Sequence, residues 1–394
     1  MNSLKSFRFF FYTHHFFGEF VLLYPVYMLL FESKGLSFMD ISLLLIIWSI
    51  PVILLEIPSG MLADRWSRKQ LIVIGTAFKL VCFIFWLLAD SFVMFAAGFI
   101  CWGIDEALCS GAAEALLYEK LEEHKQDHHY EKFAGKAGFY AGAGLVLSML
   151  LGGFAASAGY DLAAGASIAA VAVSLISAMF LKETKRRNDL RRSQQRAGVG
   201  FRELAARCVK NKKVALLLLF CALVVIVPGI LEEYDQIYAQ RLGLSLEHIG
   251  IWGALRIGAE SVGRRFAYKL KGIVHSLYRV CLLAIAGGAL LFVSAYAFSY
   301  VLFPVYALFY ALLSGCFVLA EGMLQRQIKS EHRAAVLSVN SLLMNLSGIL
   351  LYIGFAGISE GMGLRAGFML MAAYMAAAAA VMIMAARLSV RASE

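Results

Sequence analysis

Ionisable side chains inside long apolar stretches are the residues of this sequence best suited to chemistry. His14, His15 and Glu19 lie in the first such stretch, and Asp105 and Glu106 lie near the middle of the fourth. A charged group in such a stretch is costly, so it usually serves a polar path and binds protons or solutes. We predict that Glu19 and Asp105 bind a proton or a cation, because both lie far from the ends of their stretches.

The two histidines allow two interpretations. His15 and Glu19 are four residues apart, which places them on one face of a helix. Because histidine changes its charge near neutral pH, His14 and His15 could relay protons or contact a substrate. The alternative is an inert, hydrogen-bonded polar pair near the end of the stretch.

A second group of ionisable residues lies in the C-terminal half. Arg256, Glu260 and Arg264 follow one another at intervals of four and project from one helix face. They form either an internal ladder of ion pairs or a site in which Arg256 binds a substrate carboxylate.

Three further acids of this half are candidates for the same path. Glu232 and Glu233 lie toward the outer end of the seventh apolar stretch, and Glu321 lies toward the inner end of the tenth. For Glu232 and Glu233 the alternative is an outer rim that simply faces water.

The composition requires a membrane. The chain has 394 residues, 61% of them hydrophobic and 16% charged, and a mean hydropathy of +0.73. Soluble proteins are about half apolar, so this is an integral membrane protein. A bilayer-spanning helix needs about 20 residues. Twelve stretches qualify as predicted spans: 8–31, 39–62, 69–89, 92–117, 133–157, 161–181, 213–239, 247–267, 276–296, 300–325, 333–358 and 364–387.

The distribution of Lys and Arg predicts the orientation of these spans. If both termini are cytoplasmic, 31 of the 36 basic residues lie on the cytoplasmic side, and Lys34, Arg241 and Arg365 alone lie outside. This agrees with the tendency of cytoplasmic loops to be basic. The net charge of +9 therefore follows from topology and gives no reason to expect nucleic-acid binding.

A basic segment divides the chain. Residues 182–213 carry 12 Lys or Arg, so we place a cytoplasmic linker at 182–212 between six-helix halves at 1–181 and 213–394. Apolar residues within the linker recur at helical spacing over 201–208. This spacing indicates a helix on the anionic inner leaflet or, alternatively, a solvated run of charge.

The two halves also share a short sequence repeat. Gly35-Leu36-Ser37 followed by Ile41 recurs as Gly243-Leu244-Ser245 followed by Ile249, just before the second span of each half. The offset of 208 residues fits a parallel repeat of six helices.

A polar motif joins the second and third predicted spans. Gly60-Met61-Leu62-Ala63-Asp64-Arg65-Trp66-Ser67-Arg68-Lys69 is expected to be a short loop, and it resembles the cytoplasmic loop 2–3 signature of the major facilitator superfamily. The resemblance implies a gating role for Gly60, Asp64, Arg65, Arg68 and Lys69. The alternative is that the basic residues only fix the topology. For the whole chain, the resemblance implies two six-helix bundles around a cavity lined by spans 1, 4, 7 and 10.

The resemblance also implies a function, that of a secondary transporter working by alternating access. Acids on the four lining spans favour a small cationic or zwitterionic organic solute, most simply exported in exchange for protons. The alternative is a proton-coupled symporter that imports a nutrient or a metal chelate. The sequence has no nucleotide-binding loop, nucleophile motif or metal-ligand pair, so we expect no enzyme activity, cofactor or metal. The expected partners of this monomer are its solute, protons and the lipid of a cell membrane, the inner membrane if the source is bacterial.

Overall fold

The computed structural model describes residues 3–65, 67–183, 211–270, 272, 274, 276–328 and 333–391. The described residues are 89% helical and include no β-strand. The predicted interfacial helix at 201–208 and most of the basic segment around it lie outside the described residues.

The helices of the first half begin and end close to the predicted spans. They are α1 (Ser3–Glu19), α2 (Tyr27–Ser33), α3 (Phe38–Arg65), α4 (Arg68–Leu88), α5 (Phe92–Cys109), α6 (Ala112–Glu123), α7 (Tyr130–Ala158) and α8 (Tyr160–Met179). A 3-10 turn, Asp127–His129, precedes α7.

The second half continues the same architecture. Its helices are α9 (Lys212–Phe220), α10 (Ile226–Glu233), α11 (Asp235–Arg241), α12 (Leu246–Leu270), α13 (Leu277–Ala297), α14 (Phe303–Gln327), α15 (Arg333–Met362) and α16 (Leu364–Arg391). A π-helical turn, Cys221–Val225, joins α9 to α10, and a 3-10 turn, Tyr300–Leu302, precedes α14.

Each predicted span corresponds to one helix or to consecutive helices. Over the described residues, ten helical stretches are long and apolar enough to cross a membrane. The first predicted span is not among them because it is interrupted after α1. The eighth is not among them because α12 carries several charged side chains, Arg256, Glu260 and Arg264 included.

Three spans that we predicted as continuous are broken, and proline explains two of the breaks. Pro25 lies in the irregular segment between α1 and α2. Pro228 lies in the first turn of α10, which directly follows the π-helical turn. A proline has no N–H to donate to the preceding turn, so it ends or distorts a helix. The fourth span is interrupted at Ser110–Gly111, between α5 and α6.

The predicted loop at 60–69 is mostly helical, which corrects the sequence interpretation. α3 continues through Arg65, and α4 begins at Arg68. Ser67 caps α4, because its hydroxyl oxygen accepts a hydrogen bond from the Gln70 N–H at 3.1 Å. Only residues 66 and 67 therefore separate the second and third spans.

The repeated Gly-Leu-Ser sequence has the same backbone structure in both halves. Gly35 and Gly243 have φ angles of +85° and +90°, and each ends a short helix. In both copies the glycine N–H donates to the carbonyl three residues earlier at 2.9 Å, and the leucine N–H to the carbonyl five residues earlier at 3.2 Å. This helix-ending motif requires a left-handed residue, which glycine provides without strain.

The chain forms two compact units. Unit 1 comprises Met1–Leu36, Leu43–Gly198 and Ser245–Ala254, and unit 2 comprises Ser37–Ser42, Val199–Leu244 and Leu255–Glu394. Within unit 1 the start of α12 packs against α7, where Gly250 lies against the backbone of Met149. Such close approach of helices is typical of membrane bundles with small residues at their contacts.

Candidate functional site

A buried lysine organises the polar residues of unit 1. Lys79 of α4 donates from Nζ to the Gly18 carbonyl oxygen at 2.8 Å, and Nζ lies 3.7 Å from Oε1 of Glu19. The last carbonyls of a helix have no partner within the helix and carry partial negative charge. Lys79 therefore caps the end of α1. We call Glu19, Tyr24, Lys79 and Asp105 the lysine centre.

Asp105 is a buried carboxylate whose negative charge is only weakly compensated by its neighbours. It is 7% exposed, and the Cys109 thiol donates to its Oδ1 at 3.1 Å. No Lys, Arg or His of the described chain lies within ion-pair distance of it. Gly75 of α4 lies opposite, where an added Cβ would be 3.1 Å from Oδ1 and 2.6 Å from the Cys109 sulfur. The lack of a side chain at Gly75 thus lets α4 and α5 close around this carboxylate.

The irregular segment between α1 and α2 positions Glu19 and Tyr24. Its free backbone groups are bound by serines of neighbouring helices. Ser148 of α7 donates to the Val21 carbonyl at 2.6 Å, and the Leu23 N–H donates to Ser167 of α8 at 3.1 Å. Non-helical backbone within a bilayer is tolerated only where protein or water satisfies it. These two serines therefore stabilise the break that forms one side of the lysine centre.

The two histidines of α1 make separate contacts. His14 Nδ1 lies 2.8 Å from the Ser174 hydroxyl, which also lies 2.9 Å from the His14 carbonyl oxygen. His15 Nδ1 lies 2.9 Å from the Phe11 carbonyl of its own helix. The predicted alignment of His15 with Glu19 therefore produces no direct hydrogen bond in the described structure.

A buried arginine organises unit 2. Arg256 of α12 is 5% exposed and contacts three carboxylates. Its Nη1 lies 3.1 Å from Glu232 Oε2 and also contacts Glu260, and its Nε lies 2.9 Å from Asp235 Oδ2. The Tyr310 ring lies 4.9 Å from its guanidinium carbon, a cation–π distance. Arg256 is therefore already paired within its own unit.

Two neighbouring side chains complete this network. Glu260 also binds Arg264, whose Nη2 lies 2.8 Å from Oε2, so the structure contains the ion-pair ladder predicted along α12. Tyr306 of α14 donates from its hydroxyl to Asp235 Oδ1 at 2.7 Å. We call the set Glu232, Asp235, Arg256, Glu260, Arg264, Tyr306 and Tyr310 the arginine centre.

The comparison with protein families agrees with this helical architecture and with the motif after the second span. The family model of the Major Facilitator Superfamily matches residues 9–352. The chain belongs to the Major Facilitator Superfamily. It is therefore a multi-pass membrane protein of the transporter class and not an enzyme.

One relative matches a short stretch of this superfamily member. An uncharacterized transporter of the superfamily, YxaM of Bacillus subtilis (strain 168), is 29% identical over 93 residues, which span 24% of this chain and 23% of that protein.

Solved structures resemble the whole chain in fold. The nucleoside transporter NupG has a TM-score of 0.77 at 13% identity and covers 98% of this chain and 99% of its own. A bacterial homologue of the human lysosomal transporter Spinster has a TM-score of 0.73 at 17% identity, covering 98% and 96%. The D-xylose–proton symporter has a TM-score of 0.70 at 12% identity, covering 96% of each chain.

The remaining predicted acids differ in their exposure. Glu106 of α5 is exposed, although Asp105 beside it is buried. Glu233 of α10 and Glu321 of α14 are half-buried. Adjacent residues of a helix point in different directions, so one buried acid does not imply that its neighbour is buried.

The structure describes the predicted gating motif in part. Gly60, Asp64 and Arg65 lie on the last turns of α3, and their side chains lie outside the described structure. Arg68 forms an ion pair with Glu119 at 3.0 Å, and the Lys69 N–H donates to Glu183 at 3.3 Å. These two contacts connect the start of α4 to other segments of unit 1.

The sequence analysis did not select Lys79, a central residue of this superfamily member. Lys79 is a lone lysine inside an apolar run, and that signal would have identified it. The hydrogen bond from Tyr306 to Asp235 is not predictable from the sequence, because aromatic residues are common in membrane helices for packing alone.

Proposed function

We propose that this transporter exports a small organic cation or zwitterion in exchange for protons, with Asp105 as the carboxylate that binds the coupling proton. The observation that carries the proposal is the environment of Asp105, a buried carboxylate whose donor is a thiol. A thiol is a weak hydrogen-bond donor, so it compensates a buried negative charge poorly. Binding of a proton or a cation removes that cost.

Lys79 does not neutralise Asp105 in place of that proton. Its ammonium group donates to the Gly18 carbonyl, and Glu19 is the carboxylate within ion-pair distance. Glu19, whose side chain is partly exposed, is the second carboxylate of the lysine centre. We propose that it attracts the cationic solute or receives the proton after Asp105 releases it.

The charge of both centres supports a cationic or zwitterionic solute. Carboxylates outnumber basic side chains in the lysine centre and in the arginine centre. Acids in a low-dielectric environment create a negative potential that favours cations. Arg256, which the sequence left open as an anion site, is occupied by three carboxylates. In a competition assay with matched cationic, zwitterionic and anionic solutes, inhibition mainly by the anions would refute this preference.

The second candidate is import by proton symport of a nutrient or a metal chelate. It is favoured by the names of two structural neighbours, the nucleoside transporter NupG and the D-xylose–proton symporter. A thermal-shift screen identifies a solute first, because a bound ligand stabilises the native state. Everted vesicles with an imposed proton gradient then distinguish the directions, since they accumulate an exported solute and lose an imported one.

The role of Asp105 has its own test. Asp105→Asn should still bind the solute, as measured by thermal shift, but should fail to concentrate it against a gradient. Glu106→Gln is the matched control, because Glu106 is the next residue of α5 and is exposed. Normal accumulation by Asp105→Asn would show that this carboxylate is structural.

We also propose a gating role for Gly60, Asp64, Arg65, Arg68 and Lys69. The last turn of α3 would hold the inner side of the transporter in one of two states through the Asp64 charge. Asp64→Asn should then reduce transport severely while the protein still inserts. Unchanged transport with normal expression would leave these residues with a topological role alone.

A further inference from the structure

The arginine centre contains more negative than positive charge. Arg256 contacts three carboxylates, those of Glu232, Asp235 and Glu260. Of these three carboxylates, Arg264 contacts only that of Glu260. Among these described residues, two cations therefore face three carboxylates, so the negative charge exceeds the positive charge by one. The ionisable groups that face Glu232 are Arg256, Glu260 and Glu233, and Asp235, Arg264, Tyr306 and Tyr310 complete the surroundings.

Two of the three carboxylates are held at both oxygens. Asp235 lies against Arg256 Nε with one oxygen and accepts from the Tyr306 hydroxyl with the other. Glu260 binds Arg256 with one oxygen and Arg264 with the other. Charge-assisted contacts at both oxygens stabilise the ionised form of a carboxylate. The uncompensated charge therefore does not belong to Asp235 or Glu260.

Glu232 is held less firmly than the other two. Its Oε2 lies 3.1 Å from Arg256 Nη1, a nitrogen that Glu260 also contacts. Its side chain is 41% exposed, whereas those of Asp235 and Glu260 are almost fully buried. Glu232 is also the second-last residue of α10, where the helix dipole disfavours a negative charge. The excess charge thus falls on the most accessible carboxylate of the centre.

We infer that Glu232 binds an exchangeable proton while Asp235 and Glu260 stay ionised and keep Arg256 in place. In this step a hydronium ion transfers its proton to a carboxylate oxygen of Glu232 and leaves as water, and the arginine centre becomes neutral. The site is additional to Asp105 and rests on the geometry of unit 2 alone. The transporter would then bind one proton in each unit.

The test is infrared spectroscopy of the full chain in lipid bilayers, with no solute added. A background with Asp105→Asn and Glu19→Gln removes the signals of the two other carboxylates that we propose can bind a proton. Between pH about 6 and 9 an ordinary glutamate, with a pKa of about 4.3, stays ionised. In that window we expect the carbonyl stretch of one protonated carboxyl, which disappears as the pH rises. Adding Glu232→Gln should abolish the signal, and adding Glu233→Gln, one residue along the same helix, should keep it.

Two results would overturn the inference: no titrating carboxyl in the background with Asp105→Asn and Glu19→Gln, or the same signal after Glu232→Gln is added. If the Gln variant does not insert, Glu232→Asp keeps a carboxyl in a changed position, so the band should move in frequency. An unmoved band would also overturn it. Because no solute is present, these outcomes do not depend on whether Asp105 couples transport.

Discussion

A buried basic residue organises the polar contacts of each unit, Lys79 in unit 1 and Arg256 in unit 2, and the two differ in what they hold. Lys79 binds a backbone carbonyl at the end of α1 and lies 3.7 Å from one carboxylate. Arg256 binds three carboxylates from three helices and lies against a tyrosine ring. A lysine ammonium is a compact point charge, whereas the planar guanidinium offers five donors. The lysine therefore stabilises one local break in a helix, and the arginine joins α10, α11, α12 and α14.

The largest effect is expected from Arg256→Met. Its removal leaves Glu232, Asp235 and Glu260 close together without their shared cation, and breaking a buried ion pair costs about 3–5 kcal/mol. Thermal unfolding in detergent should show this loss. Arg264→Met is the control, because that side chain is 58% exposed and binds one carboxylate, so it should cost about 0–1 kcal/mol. Equal losses in the two variants would contradict the central role of Arg256.

Lys79→Met should have a smaller effect. It leaves the Gly18 carbonyl without its donor, and an unpaired buried polar group costs about 1–3 kcal/mol. The same unfolding assay measures it, and Lys79→Arg, which retains a cation, should recover part of the loss. If Lys79→Met destabilises the chain more than Arg256→Met does, the contrast between a local and a network role is wrong.

Tyr306→Phe should lower the free energy of unfolding by less than Lys79→Met does. It removes the hydroxyl that donates to Asp235 but leaves the ring in place. A hydrogen bond to a charged group contributes about 1.5–3 kcal/mol, and the low end is expected here because Asp235 keeps its contact with Arg256. Tyr300→Phe is the matched control, because Tyr300 is exposed. Unfolding temperatures of the two variants that do not differ would show that Arg256 alone holds Asp235.

The smallest effect is expected from Ser148→Ala at the break in the first span. Hydrogen bonds between membrane helices average about 0.6 kcal/mol, so unfolding should shift only slightly. The control is Ser157→Ala, since Ser157 lies on the same helix, is exposed and bonds the Phe154 carbonyl of its own helix. A loss as large as that of Lys79→Met would assign the support of the break to α7 rather than to α4.

Features that depend on neighbouring residues were predictable from the sequence. Hydrophobic length predicts the spans, because about 20 apolar residues are needed to cross a bilayer whatever the tertiary structure. The i, i+4 spacing along α12 predicts the contacts of Glu260 with Arg256 and Arg264. The loop at 60–69 was mispredicted because polarity was read as irregular structure, whereas a helix can continue through polar residues until a cap such as Ser67 begins the next one.

Only the tertiary structure shows which distant groups meet. Lys79 binds the carbonyl of Gly18, 61 residues away, and Tyr306 binds Asp235, 71 residues away. Ser148 satisfies the backbone of the broken first span from 127 residues away. These contacts depend on how the helices pack, which hydropathy and spacing within one helix do not specify. The sequence alone therefore indicated the membrane-spanning helices and the family, and packing decided which buried charges are compensated.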